Sequence, residues 1–297
     1  MTVRLIDDEG KAVTGAVVTA IGYSTEKPER TDSMGGCNFC FGILGSTLEL
    51  DVQKNGFYPV SRYLVSFNSV TNSQLLPWNP IITIGLHKTN NPTALIVKNV
   101  KSDLPIFYGT IGYDLLRADW VAPFGEGVSN DVQLSVQSWT TNADNYLGIL
   151  SLKFANPKDG VIRLSLPART DFGLRLAAQA PLTGYSNQLD LIAHSYTNPV
   201  TGYRTDDWNF SEDDHYYFRI RSATNQQGEV TSALYGKIYW GIHFYVGMTN
   251  VPTENGLKSL KHSVKFLYYL NPDGTRNTEW DPNRNLCKDP GMVGARP

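Results

Sequence analysis

The chain has 297 residues, a formal net charge of −2 and charged side chains at 18% of its positions. This balance lacks the basic surplus by which nucleic-acid-binding proteins attract phosphates, and no block of like charges forms a polybasic tail. No apolar run approaches the roughly 18 residues of a transmembrane helix, so the sequence predicts no membrane span. The length exceeds that of one small β-sandwich and favours two domains.

The N-terminal region consists of short segments in which apolar and polar residues alternate, and Gly-bearing turns separate these segments. Alternation with a period of two is typical of strands that bury one face. The predicted strands of this region are 3–5, 15–18, 37–41 and 48–52. No convincing amphipathic helix is found anywhere in the chain, so we predict an all-β protein.

Three short motifs of this region resemble those of a known family. They are Gly15-Ala16 followed by Val18, Thr31-Asp32 followed by Gly35, and Lys54-Asn55-Gly56-Phe57. On these motifs the region resembles the carboxypeptidase regulatory-like domain, a small β-sandwich of the transthyretin and immunoglobulin type. The resemblance implies such a domain over residues 1–87 of an exported bacterial protein. It implies no particular reaction.

The cysteine content gives no sign of a disulfide scaffold, because only Cys37, Cys40 and Cys287 are present. A zinc site built on Cys37 and Cys40 would need further ligands, and no second pair at motif spacing follows. A thioredoxin-type redox pair sits at the start of a helix, whereas these two cysteines lie on a predicted strand. Their three-residue offset points them to opposite faces, so we expect Cys37 in the core and Cys40 outside.

A polar segment that ends in Pro92 marks the boundary that we predict between two domains, so the second domain covers residues 93–297. The segment 66–79, rich in Ser, Asn and Pro, is predicted as a loop. Turn-bounded strands continue to the C-terminal region and predict a second, larger antiparallel β-sandwich. The later predicted strands are 80–86, 94–97, 109–116, 131–139, 146–154, 160–166, 216–222, 232–239 and 263–270.

A second resemblance covers most of residues 93–287. The segment from Tyr113 to Gly127, YDLLRADWVAPFGEG, is similar to a segment of exported bacterial proteins to which no activity is assigned. Other similar segments are 217–221, 232–239, 268–272 and 276–286. This resemblance supports export and implies no specific function.

Carboxylates cluster in one segment that we predict to be an acidic loop. They are Asp206, Asp207, Glu212, Asp213 and Asp214, followed by His215. A glycoside hydrolase needs two carboxyls roughly 5–10 Å apart that flank a sugar, and Trp208 offers a ring on which a sugar stacks. The alternative is a solvated connection without a catalytic role. A serine hydrolase is not predicted, because no Gly-x-Ser-x-Gly motif occurs and the adjacent His194 and Ser195 point to opposite strand faces.

Oxygen-bearing side chains also surround Gly274, and calcium binds six to eight oxygens from such loops. These side chains are Asn271, Asp273, Asn277, Glu279 and Asp281. Asx turns explain the same residues, and the spacing of an EF-hand is not met. Calcium stays open here and in the 206–214 segment. The scattered His87, His243 and His262 show no ligand spacing. We assign no catalytic, cofactor-binding or metal-binding residue from the sequence.

These features favour a non-enzymatic protein of the bacterial envelope or surface that binds a partner or assembles with itself through exposed sheet edges. A carbohydrate-binding module is one alternative, and a glycoside hydrolase that uses the 206–214 segment is another. We expect a protein or glycan partner and no nucleic acid. The first residues form a predicted strand rather than a signal peptide. We therefore expect a mature extracellular or periplasmic chain without its signal sequence, with a cytosolic protein as the alternative.

Overall fold

The computed structural model describes residues 1–22, 26–40, 47–67, 69–71, 74–76, 78–142, 144–165, 176–248, 251–253, 256–258 and 261–291. Over these residues the chain consists of strands and turns without a helix, and so without a helix that could cross a membrane. The described residues form two compact units, one within Met1–Pro92 and the other within Thr93–Pro167 and Leu176–Val293. The predicted all-β class, built mainly from antiparallel sheets, is confirmed.

The described part of the first unit contains two sheets. Its strands are β1 (Thr2–Asp7), β2 (Val17–Ile21), β3 (Glu26–Arg30), β4 (Gly36–Asn38), β5 (Thr47–Gln53), β6 (Val60–Ser66), β7 (Ser69–Thr71), β8 (Gln74–Leu76) and β9 (Ile81–Leu86). One sheet has the order β4-β1-β9 and the other the order β3-β2-β5-β6, while β7 and β8 pair with each other. The pairing of β1 with β9 is parallel, which the sequence did not predict.

The alternate residues of these strands form one apolar core. Its members include Val3, Leu5, Val18, Leu50, Val52, Ile84 and Leu86. The turn into β4 requires glycine, since Gly35 has a φ of +75° and a Cβ there would lie 2.6 Å from the Leu5 carbonyl oxygen. The apolar residues that the alternation predicts to face inward therefore form this core.

Two predictions about this unit have opposite outcomes. The segment 66–79 is not simply a loop, because it contains β7 and β8, strands too short to show alternation. The predicted burial of Cys37 and exposure of Cys40 are confirmed, but the two do not lie on opposite faces of one strand, because β4 contains Cys37 and ends before Cys40. Burial raises the pKa of the Cys37 thiol to about 11, and the charges of Glu29 and Asp32 act in the same direction. Cys37 is thus a protonated core residue.

The second unit contains longer strands. They are β10 (Thr93–Asp103), β11 (Gly109–Asp114), β12 (Asp119–Trp120), β13 (Val132–Asn142), β14 (Asn145–Phe154), β15 (Gly160–Ser165), β16 (Gln188–Thr197), β17 (Arg204–Trp208), β18 (Asp214–Thr224), β19 (Val230–Tyr245), β20 (Val251–Thr253), β21 (Gly256–Lys258), β22 (Ser263–Asn271) and β23 (Trp280–Asn285).

Two six-stranded sheets dominate the described part of this unit. The sheet that we call sheet I has the order β15-β18-β19-β22-β10-β23, and the sheet that we call sheet II has the order β12-β11-β13-β14-β16-β17. Both contribute to one apolar core, with Leu134 and Leu150 from sheet II and Phe218, Phe244 and Tyr268 from sheet I. Within sheet I, β10 pairs with β23 in parallel.

The strands β16, β17, β20, β21 and β23 of this unit are not among those that the sequence predicts. Every residue of β17 is exposed, so its sequence carries no apolar alternation. This corrects the predicted acidic loop at 206–214, because Asp206 and Asp207 lie on β17 and Asp214 begins β18. Edge strands of this kind are specified by the neighbour with which they pair rather than by their own pattern.

The segment from Tyr113 to Gly127 has a structural role around the Asp114 carboxylate. Asp114 accepts hydrogen bonds from the backbone N–H groups of Leu116, Arg117, Val128 and Ser129 at 2.9–3.0 Å. These bonds hold the connections on both sides of β12 in place. The motif is therefore explained by the shape of this loop, and it identifies no catalytic group.

Arg221, on β18 of sheet I, connects the loop from Tyr113 to Gly127 to that sheet. Its guanidinium donates to Asp114 at 2.8 Å and to Asp131 at 2.8 and 3.0 Å. Burial by itself acts to raise the pKa of both the Asp114 and the Asp131 carboxyl. Backbone donors and Arg221 outweigh burial at Asp114, which has a lowered pKa, whereas burial prevails at Asp131, which has a raised one. Arg221 lies on β18 of sheet I and Asp114 on β11 of sheet II, so the cluster joins the two sheets.

Candidate functional site

The two carboxylates predicted as a hydrolase pair lie side by side on the edge strand β17. In the pairing with β16, Asp206 lies opposite Ser195 and Asp207 opposite His194. Successive residues of a strand point to opposite faces, so these two carboxylates do not converge on one bond of a substrate. Glu212 is exposed in the turn that follows. A pair of carboxyls that flanks a sugar is thus not formed by Asp206 and Asp207.

The surroundings of Asp206 favour its ionised form. A hydrogen bond from Ser195 and the guanidinium of Arg204 lower the pKa of Asp206 and outweigh burial, which raises it. The Arg204 Nε donates to the carboxylate at 3.0 Å. An anionic carboxylate accepts hydrogen bonds and does not supply a proton, so Asp206 is suited to contacting a ligand rather than to acid catalysis.

Asp214 and His215 are buried and hold the acidic segment in place. The Asp214 carboxylate accepts bonds of 2.7 Å from Arg163 Nη2, the Ser165 hydroxyl and the Ser211 backbone N–H. Burial raises the pKa of Asp214, but these donors outweigh burial and leave that pKa lowered. Both residues therefore have structural roles on β18, and neither is an accessible catalytic group.

Aromatic rings form a row at the edge of the second unit, which we call the aromatic ridge. Its members are the rings of Trp208, Phe210, His243 and Tyr245, together with the adjoining Trp240, whose ring lies 5.9 Å from that of Tyr239 and whose carbonyl oxygen accepts a hydrogen bond from His243. The Trp208 and Phe210 rings stack with centroids 5.4 Å apart, Phe210 meets His243 edge-on at 6.3 Å, and His243 stacks with Tyr245 at 6.4 Å. Trp208, Trp240 and Tyr245 are 39%, 40% and 46% exposed, whereas Phe210 is buried in the core. The ridge is anchored at Phe210 and presents large rings to solvent.

A β-bulge at Trp240 and Gly241 brings β19 into the ridge. The register between β19 and β22 shifts between Tyr239 and Ile242. Trp240 has a φ of +59°, a left-handed conformation that a bulky residue rarely adopts, and Gly241 has a φ of +74°. A Cβ at Gly241 would lie 2.3 Å from the Ser211 carbonyl oxygen, so the acidic segment packs directly on the bulge.

Two histidines hold the bulge from either side. The Trp240 backbone N–H donates to Nδ1 of the buried His215 at 3.3 Å. His243 Nε2 donates to the Trp240 carbonyl oxygen at 2.9 Å. Both polar groups of the Trp240 backbone are therefore satisfied by side chains, and they fix the residue in its strained conformation. Bulges of this kind redirect side chains near functional sites.

Charged groups of both signs lie beside the ridge. Asp206 lies two residues before Trp208 and so on the same face of β17, and Glu212 follows Phe210 in the next turn. On the other side, Lys265 of β22 lies opposite His243 in the pairing of the strands. The ridge thus combines exposed rings with hydrogen-bond donors and acceptors at its margins.

The ridge residues were only partly accessible to sequence reasoning. The sequence marks Trp208 as a ring on which a sugar could stack, but His243 shows no ligand spacing and Trp240 has no distinguishing pattern. One signal was available, because Gly241 interrupts a strand pattern, and glycine inside a strand often marks a bulge. The proximity of 208–210 to 240–245 depends on the pairing of distant strands and has no local signal.

Before the bulge, the outward face of β19 is covered by the chain itself. Tyr235, Lys237 and Tyr239 are buried there. The neighbouring Tyr217 hydroxyl donates to the Ala177 carbonyl oxygen at 2.6 Å, which ties segment 176–182 to this face. Lys237 Nζ lies 5.0 Å from the Tyr239 ring centroid, and burial lowers its pKa to about 7 against the opposing charge of Glu279. This amine is part of the packing and is not exposed to a ligand.

A groove of about 530 Å³ lies elsewhere in the second unit, between the 116–126 loop and residues 286–289. Its lining contains Lys98, Arg117, Lys288, Asp119, Glu126 and Asp289. Several of these groups already contact one another or nearby backbone: Lys98 donates to the Asp289 carboxylate at 3.2 Å, and Asp119 accepts the Glu126 backbone N–H at 2.7 Å. The groove is therefore a weaker candidate than the ridge, although it is the more concave of the two surfaces.

The oxygens proposed for calcium make turn contacts within their own loop. Asn271 Oδ1 accepts the Asp273 backbone N–H, Asp273 Oδ1 accepts that of Thr275, and Asn277 Oδ1 accepts that of Glu279, at 2.7–3.0 Å. Among the residues that the structure describes, no group of three His, Cys, Asp or Glu side chains is arranged to hold a metal ion. Calcium binding stays an untested prediction.

Comparison with known proteins gives little further information. No family model matches the chain, and no curated protein matches it significantly. Among solved structures, the chain is similar to BcpA, the major pilin subunit of Bacillus cereus, with 12% sequence identity and a TM-score of 0.21. The similarity covers 89% of this chain and 94% of the pilin chain. At that TM-score the likeness supports no conclusion about function, so the functional proposal depends on the residues of this chain.

Proposed function

We propose that the chain is a non-enzymatic protein of the bacterial envelope or surface, extracellular or periplasmic, and that it binds its partner at the aromatic ridge. The observation that carries the proposal is Trp240, a large ring that is 40% exposed and held at a φ of +59°. A left-handed conformation costs a non-glycine residue on the order of 1–2 kcal/mol. The fold retains this unfavourable conformation at an exposed ring. This favours a role for the Trp240 ring in contacting a partner rather than in stabilising the fold.

The composition of the ridge supports contact with a partner rather than catalysis. Exposed Trp and Tyr side chains are enriched where proteins bind, because each buries a large rigid area at a small entropic cost. The described groups of the ridge include no nucleophile placed beside a base. Location in the envelope rests on the sequence resemblances described above.

Pelleting with purified bacterial envelopes, together with light scattering for self-association, tests the proposal. Trp208→Ala and Trp240→Gly remove exposed rings of the ridge, and Trp139→Ala, at a ring 57% exposed on β13 outside the ridge, is the matched control. We expect either ridge variant to weaken binding at least tenfold and the control to bind like the wild type. Equal binding by all four proteins, or glycoside turnover that Asp206→Asn abolishes, would contradict the proposal.

A further inference from the structure

Building on the proposed function, we infer that the partner is a neutral glycan chain whose sugar rings stack on Trp208, Trp240 and Tyr245. All three side chains are exposed; Trp208 and Tyr245 are connected through the rings of Phe210 and His243, and Trp240 adjoins them through its carbonyl oxygen, to which His243 donates. The inference concerns the chemical class of the ligand, whereas the proposed function concerns only the use of the ridge.

The ring surfaces match the apolar faces of sugars. A pyranose ring has a face of C–H groups and an edge of hydroxyls, and an aromatic side chain offers a flat, negatively polarised face to such C–H groups. Hydroxyls both donate and accept, so they pair with carboxylates and ammonium groups alike. Asp206, two residues before Trp208 on the same face of β17, and Lys265, opposite His243 on β22, are groups of these two kinds.

The charges near Trp208 do not form a positive path for an anionic polymer. Asp206, on the same face of β17 as this ring, is paired with Arg204 at 3.0 Å, and Glu212 is exposed in the turn after the buried Phe210. Proteins that stack nucleic-acid bases on aromatic rings line the binding path with positive charge. Charges of mixed sign at Trp208 and His243 give phosphates and uronic acids no such path, and an uncharged sugar chain does not need one. The charge pattern therefore favours a neutral glycan.

The length of the ridge favours a chain over a single sugar. The Trp208 and Tyr245 rings are connected through Phe210 and His243, with centroid separations of 5.4, 6.3 and 6.4 Å between successive rings. Two further rings therefore lie between the exposed rings of Trp208 and Tyr245, which are separate stacking positions. Several weak contacts along one chain add to a useful affinity through their high effective concentration.

Native affinity electrophoresis tests the inference with gels that contain hydroxyethyl cellulose, galactomannan or soluble xylan, and with alginate gels as the anionic comparison. We expect a neutral polymer to retard the wild type and Trp139→Ala, and alginate to retard neither. Trp208→Ala and Trp240→Gly should weaken retardation at least tenfold, whereas Trp240→Phe, which keeps a ring, should stay within about threefold of the wild type. Near-UV circular dichroism checks that each variant is folded.

The outcomes separate this inference from the proposed function. Retardation by no neutral polymer, or equal retardation of the ridge variants and the wild type, overturns the glycan inference. If the same ridge variants still lose envelope binding or self-association, the proposed function stands and the partner is a protein or another copy of the chain. Stronger retardation by alginate than by the neutral polymers also overturns the inference.

Discussion

At the scale of single residues, the fold changes the charge of Lys237. The side chain is buried between the rings of Tyr239 and Tyr269, and burial lowers its pKa to about 7 although Glu279 opposes the shift. In the unfolded chain a lysine has a pKa of about 10.4. Between these two values the unfolded state binds the proton and the folded state does not, so this residue makes stability rise with pH.

We predict that Lys237→Met removes this pH dependence. Below pH 7 the lysine is protonated in both states, and the full cost of burying its charge is present, so the variant should exceed the wild type in stability. That difference should shrink as the pH rises from 7 to 10, with a slope approaching about 1.4 kcal/mol per pH unit. Urea unfolding at several pH values measures it, and the exposed Lys265→Met is the control. A difference that does not vary with pH would contradict the prediction.

At the scale of elements, the outward side chains of β19 change from buried to exposed at its bulge. Before the bulge its outward residues are buried, and after it Tyr245 is exposed beside His243. Trp240 lies at the change and has a φ of +59°. In an ordinary strand glycine is less stable than alanine, because it loses more conformational freedom on folding. At a left-handed position the order is reversed.

We therefore predict that Trp240→Gly is more stable than Trp240→Ala by about 1 kcal/mol. Both variants lose the same ring contacts, so the comparison isolates the strain of the backbone. Urea unfolding of the two proteins measures the difference. The same pair of substitutions at Trp139, on the regular strand β13, should show alanine as the more stable residue. If alanine is also the better residue at position 240, the bulge is not held in the strained conformation.

At the scale of the whole molecule, the second unit depends on a charged link between its sheets in addition to its apolar core. Arg221 of sheet I binds Asp114 and Asp131, which are 1% and 4% exposed. Removing one member of such a cluster leaves buried charges without compensation, which costs more than the pair itself contributes. The loop from Tyr113 to Gly127 is built around the Asp114 carboxylate.

We predict that Arg221→Met destabilises the protein by about 3 kcal/mol. Arg204→Met is the matched control, because Arg204 also contacts two carboxylates, Asp144 and Asp206, but at exposed positions. Exposed ion pairs contribute roughly 0–1 kcal/mol, so the control should unfold close to the wild type. Thermal and urea unfolding compare the two. Similar losses for both variants would show that the Arg221 cluster is not a strong link.

The sequence by itself determined the all-β class and the principal strands, because alternating residues such as Leu134, Val136, Leu150 and Leu152 report directly which face of a strand is buried. It also determined the positions of Cys37 and Cys40. Tertiary structure decided the rest. The exposed strand β17 has no pattern of its own, since its partner β16 specifies it, and the parallel pairs of β1 with β9 and β10 with β23 join segments far apart in the chain. The ridge depends on the same kind of long-range contact, because Ser211 packs on Gly241 and Phe210 meets His243, which joins the segment after Trp208 to the bulge of β19. The alternation of apolar and polar residues along a strand shows which face of that strand is buried. It does not show which distant strands pair with each other.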